Sequence, residues 1–151
     1  MPVDTETPKT PKTAKAAVAD AVPSVFDFAA LDTTALAEDG NEMALVHPVT
    51  GEELGGYITL AGADSQRFER AQSEAVKLRV RKRQKSMTTG DIKEENIRLL
   101  VACVTGWRNI RVDGEDWPCN PVYVKKFFTR FPWAREQALA YIHDLDNYLQ
   151  D

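Results

Sequence analysis

The 151-residue chain is poor in the residues that most chemistry needs, with only two cysteines and two histidines. Cys103 and Cys119 are too few and too widely spaced for a disulfide framework or a zinc site, which predicts buried free thiols in a reducing compartment. A nucleophilic triad needs a Ser or Cys, an imidazole base and an orienting carboxylate. His47 precedes Pro48 at a turn and His143 falls on the polar side of a helix, so both read as solvated surface histidines. No C-x-x-C, H-E-x-x-H or EF-hand spacing occurs, so neither a metal nor a cofactor is expected. The stretch "GEELGGY" lacks the Walker lysine and the G-x-G-x-x-G spacing, and it runs into a strand instead of opening a helix, which argues against a phosphate cradle. No segment approaches the roughly 18 apolar residues of a membrane span, and the N-terminus lacks the apolar run of a signal peptide. These absences predict a cytoplasmic protein without a membrane partner, and they make an enzyme the least favoured class.

The residues that are present fit one soluble domain plus a tail, with 43% hydrophobic and 28% charged. The net charge of −4 conceals an uneven layout. Lysine and arginine gather between Arg67 and Lys85, and "KLRVRKRQK" (77–85) holds six cations in nine residues. Such a run can neutralise phosphates, but it carries no interleaved aromatic. A solvated or protein-binding face is therefore preferred to a nucleic-acid site. The opposite cluster, Asp113, Glu115 and Asp116 around Gly114, reads as a solvated turn, because no base stands beside it to make paired-carboxylate chemistry.

Along the chain, residues 1–24 are rich in Pro, Thr, Lys and Ala and hold almost no large apolar side chain, so they are expected to form a disordered tail. Val25, Phe26, Phe28, Leu31 and Leu36 then supply apolar surface without a clean period. Two β-prone runs, Glu42 to His47 and Leu54 to Leu60, flank Pro48-Val49-Thr50-Gly51 and predict a hairpin over about 42–60. Asp64 is positioned to cap a helix over about 64–85, with Phe68, Ala71, Ala75 and Leu78 on one face. A second helix, about 91–105, opens with Asp91 and Glu94 and carries the stripe Ile97, Leu100, Val101, Val104 and Trp107. Asn120 and Pro121 start a third over about 120–131, with Val124, Phe127, Phe128 and Phe131 on one side. Pro132 breaks the chain before a fourth, about 132–149. The expected fold is α+β, mostly α: a β-hairpin packed on an antiparallel bundle of about four helices, with residues 25–151 as a single globular domain.

The order "HPVTGEELG", "ITLAGADSQRFERA", "LVACVTGWRNI" and "PCNPVYVKKFFTRFPWAREQALAYIHDLDNYL" resembles the tail assembly chaperones of long-tailed bacteriophages, encoded beside the tape measure protein. The likeness covers roughly Phe26 to Leu149, and none of its distinctive pieces is catalytic. It implies a protein that binds the tape measure protein, keeps it soluble, helps recruit tail tube protein in the host cytoplasm and is absent from the finished virion. An amphipathic seam could cover apolar stripes of the tape measure protein until tube subunits displace it. Candidate contacts are Tyr57, Ile58, Phe68 and Leu78, with Arg79, Arg81, Lys82 and Arg83 steering acidic partners. Self-association is left open. The alternatives are a small phage nucleic-acid-binding regulator or packaging accessory that uses 77–85, and a minor structural component of the tail or neck.

The segment "VTGWRNIRVDGEDWPCNP" (104–121) holds two tryptophans and cannot be one helix. It is expected to continue the second helix through Trp107, with Gly106 allowing close packing, and then to turn back toward Asn120, leaving Trp117 as a further partner-contact candidate. Burial of Trp107 is worth about 2 to 3 kcal/mol. Trp107→Ala should therefore lower the melting temperature sharply in a thermal scan, without a specific binding defect where the variant is folded. Unchanged melting would show that the indole anchors nothing.

Overall fold

The computed structural model describes residues 25–83 and 85–149. The expected disordered tail, 1–24, lies outside the described residues. The chain divides into two units after Ala30. Within the first, the Phe26 and Phe28 rings meet edge to face at 5.2 Å, and the Asp27 carboxylate accepts from the Ala29 amide at 3.0 Å.

The second unit is α+β and mostly helical. It begins with a short helix α1 (Thr34–Asp39), then strands β1 (Asn41–Val46) and β2 (Glu53–Leu60), and helices α2 (Gln66–Arg81) and α3 (Thr89–Cys103). Strand β3 (Val104–Arg108), the two-residue strands β4 (Arg111–Val112) and β5 (Glu115–Asp116), helices α4 (Pro121–Arg130) and α5 (Pro132–His143), and a 3-10 turn Leu145–Tyr148 complete it. The main sheet is antiparallel in the order β1-β2-β3.

The expected hairpin forms at its expected place. The His47 amide donates to the Glu52 carbonyl at 2.8 Å and the Gly51 amide to the His47 carbonyl at 2.9 Å, closing the loop across Pro48. Gly51 takes φ 77°, a left-handed value that costs glycine little. The Val49 and Thr50 amides both donate to His47 Nδ1, so this exposed histidine organises the turn. Met43 and Leu45 on β1 and Ile58 and Leu60 on β2 face inward and are buried, as the two-residue alternation requires.

The second helix departs from expectation. Instead of running to about residue 105 with Trp107 on its stripe, it stops at Cys103, and Val104 enters β3 with no intervening loop. Trp107 pairs with Ile58 and Val104 with Leu60. Two forces favour this outcome. Val, Thr and Trp suit a pleated surface while Gly106 weakens a helix, and β2 would otherwise bury an unpaired row of backbone groups. Gly106 is not needed for close packing, since nothing lies within 4 Å of where its Cβ would stand.

The caps are also shifted. Ser65, not Asp64, caps α2: its Oγ accepts from the Phe68 amide at 3.2 Å and donates to the Gly62 carbonyl at 2.6 Å. The Asp64 carboxylate is engaged by the Thr33 hydroxyl. Thr88, not Asp91, caps α3. Asp91 is the reciprocal partner of a capping box, accepting from the Thr88 amide at 3.0 Å while its own amide donates to Thr88 Oγ1 at 3.1 Å. Asn120 caps α4 as expected, accepting from the Tyr123 amide at 3.0 Å, with Pro121 in the first turn. The last helix is shorter than 132–149. It ends at His143 because Asp144 is extended and accepts from the Asp146 amide, starting the 3-10 turn that swings Tyr148 into the core and leaves Leu145 exposed.

That swing closes a node between distant parts of the chain. The Tyr148 hydroxyl donates to the Leu60 carbonyl at 3.0 Å, and the Gly62 amide donates to the Ala37 carbonyl at 3.0 Å. A Cβ on Gly62 would stand 2.9 Å from the Ala37 methyl and 3.0 Å from the Tyr148 ring. Gly62→Ala should therefore cost about 1 to 3 kcal/mol, the usual range for overpacking. Chemical denaturation measures it, and an unshifted midpoint would mean that the node yields freely.

Candidate functional site

The residues expected to contact a partner do not form one patch. Ile58 is completely buried and Phe68 is 4% exposed, so both belong to the core and the expectation that they meet a partner is corrected. The reason is local: Ile58 sits on the inner face of the central strand, and Phe68 is the first seam residue after the Ser65 cap. Tyr57 points to the opposite face of the sheet. The Arg108 guanidinium lies over its ring at 3.9 Å and makes two bonds to the Glu42 carboxylate, at 2.8 and 3.0 Å. That pairing holds the Glu42 carboxyl below the usual carboxylate range.

Trp117 is half-buried at the centre of the small β4-β5 hairpin region. Its carbonyl accepts from Trp107 Nε1 at 2.9 Å, its amide donates to the Ile110 carbonyl at 2.9 Å, and its ring meets Tyr123 at 5.1 Å. Trp107 in turn meets the Phe127 ring at 5.6 Å. The two tryptophans thus bind each other and α4. Asp113 and Gly114, at φ 54° and 80°, make the two-residue turn between β4 and β5. Two of the three acids around them form ion pairs: Asp113 with Arg130 at 2.7 Å and Asp116 with Arg111 at 3.0 Å. The Arg130 guanidinium keeps the Asp113 carboxyl below its ordinary range, so it stays charged and makes a poor general acid or base near neutral pH.

The remaining candidates come together at the C-terminal end of α2. Leu78 is half-buried beside α3, and Arg79 is tied to Glu95 at 3.2 Å. Arg81, Lys82 and Arg83 are exposed and form no ion pair among the described residues. Arg79 and Arg81 also favour the helix, since cations in the last turn meet the negative end of its dipole. Two exposed apolar residues stand among them and were missed, Val76 at 50% and Val80 at 70% exposure. The signal for them was available: both lie off the Phe68, Ala71, Ala75, Leu78 seam, four residues apart, so they share the outer face of the helix.

Beside them lies an open groove between α2 and α3 of about 710 Å³, and a smaller cleft of about 340 Å³ lies between α3 and α4 with Ile97, Val101 and Val122 in its wall. Among the described residues no group of three or more His, Cys, Asp and Glu could hold a metal ion, and no helix is long and apolar enough to cross a membrane. Comparison with protein-family models, with curated proteins and with solved structures found no match to this chain.

The thiols differ in accessibility. Cys103 is buried between α3 and the sheet, and burial pushes its pKa up to about 12, which leaves it protonated and unreactive. Cys119 is exposed, with a thiol raised less by partial burial. A disulfide-exchange reagent at neutral pH should label Cys119 alone in the native protein and both thiols after denaturation. Rapid native labelling of Cys103 would show that the α3-β3 junction opens.

Proposed function

We propose that this chain is a tail assembly chaperone of a long-tailed bacteriophage, which binds the tape measure protein, keeps it soluble and helps recruit tail tube subunits. The reading rests on the resemblance of its ordered segments to that family. The structural observation that carries it is the surface at the end of α2, where unpaired cations stand beside exposed valines and an open groove. A surface of that kind suits reversible capture of an apolar, partly acidic chain: the valines gain from burial, and the charges raise the encounter rate without making release slow. The finer architecture expected from the sequence, a β-hairpin packed on an antiparallel bundle of about four helices, belongs to the same reading. So do a non-enzymatic role and residence in the host cytoplasm.

Tight binding of substrates or catalysis finds little support in these residues. Among the described residues the buried side chains are apolar apart from Ser65, a helix cap, Cys103, whose thiol is kept protonated by burial, and Tyr148, whose hydroxyl is bonded to a backbone carbonyl. Holding another chain during assembly asks only for reversible surface contact.

Co-expression with the tape measure protein encoded beside it tests the proposal. The tape measure protein should move from the insoluble to the soluble fraction when this chain is present, and mass spectrometry of purified particles should not detect this chain. A tape measure protein no more soluble with the chain than without it would refute the reading, and recovery of stoichiometric chain from particles would favour a structural tail component.

A further inference from the structure

We infer that the groove between α2 and α3 docks an amphipathic helix that carries acidic residues beside its apolar stripe. The groove is walled by Gln72, Val76 and Arg79 of α2 and by Glu95 and Leu99 of α3, with Ala75 at its floor. From Glu69 to Arg79 it follows α2 for ten residues, about 15 Å at 1.5 Å per residue, which matches about three turns of a guest helix. The floor is apolar where the guest's stripe would lie. Arg79 pairs with Glu95 at 3.2 Å between the two helices, and Glu69 and Lys77 also line the groove.

The rim identifies the guest's other face. Val76 and Val80 stand exposed one turn apart, and Lys77, Arg81, Lys82, Arg83 and Lys85 form no ion pair among the described residues. This occurs in a chain whose net charge is −4, so the basic end is a local feature and not a bulk property. A guest with glutamates or aspartates flanking its apolar stripe satisfies both halves of the surface at once. A nucleic acid satisfies only one: phosphates gain nothing from the valines, and no aromatic stands among the cations to stack a base. The inference stands on the surface's own chemistry. Only naming the tape measure protein as the natural source of the helix rests on the proposed function.

The full-length isotope-labelled chain can be titrated with a synthetic helical peptide of about 18 residues, five turns, carrying leucines at helical spacing and flanking glutamates. A matched peptide with lysines in place of the glutamates and a short DNA duplex serve as comparisons. The expected result is amide shifts centred on α2 and on Glu95 to Leu99, with affinity falling about tenfold or more in an R81E/K82E/R83E variant and on raising the salt. Val76→Asp should weaken binding while Val122→Glu, in the α3-α4 cleft, leaves it unchanged. Unaltered melting curves verify that the variants are folded, and any variant that fails this check is replaced by its alanine counterpart. The inference is overturned if the glutamate peptide does not bind, if the lysine peptide binds as well, if the shifts fall on the α3-α4 cleft, or if only the duplex binds. Peptide binding with no gain in tape measure solubility would uphold the groove and sink the proposed function, while the reverse pattern would place the tape measure contact elsewhere.

Discussion

Strand β2 is hydrogen-bonded along both edges, to β1 and to β3, while Ile58 and Leu60 on its inner face are shut off from solvent completely. A strand in that position leaves its neighbours little freedom. It draws the end of α3 straight into β3, holds the Trp107 side chain over α4, and offers the Leu60 carbonyl to Tyr148 from the far end of the chain. A single buried cluster then joins residues of both sheet edges to α2, α3, α4 and α5. The helices pack on one another as well as on this sheet, and four of them contribute side chains to the cluster that covers its inner face.

Charge is distributed over the same frame in two different ways. On the outer face of the sheet and around the β4-β5 turn, cations and carboxylates find each other, as in Arg108 with Glu42 and Arg130 with Asp113. These exposed pairs add little stability. At the end of α2 the cations have no such partners among the described residues, and the potential there is open to whatever approaches. The molecule therefore carries a local cluster of cations on a chain whose net charge is −4.

Much of this was legible from local patterns. The hairpin followed from two alternating runs around Pro48 and Gly51, α4 from Asn120-Pro121, and the break before α5 from Pro132, because in each case the signal and its physical cause lie within a few residues. The third strand was not legible, since Ile97 to Trp107 satisfies a helical period and only a pairing with β2, some fifty residues away, converts its last four residues to a strand. The caps failed by a smaller margin: Asp64 and Asp91 are good capping residues, but each has a hydroxyl neighbour better placed to receive the amide. For the candidate surface, the expected cations lie together at the end of α2, with Arg79 paired to Glu95, while two of the apolar candidates fall in the core, because periodic apolar positions mark the core first. Ile58 and Phe68 are that core, and the exposed Val76 and Val80 lie outside the stripe.

Gln137 on α5 adds a constraint of another kind. Its amide oxygen accepts from the Val46 N–H at 3.2 Å and its amide nitrogen donates to the Val46 carbonyl at 2.8 Å, so one side chain occupies both positions that a further strand would take, and Tyr141 occupies the Glu42 carbonyl nearby at 3.1 Å. Edges left open invite a neighbour's backbone. With the Val46 and Glu42 backbone groups engaged in this way, β1 offers fewer open partners to a further strand, and strand-to-strand joining of two copies of this chain is disfavoured there.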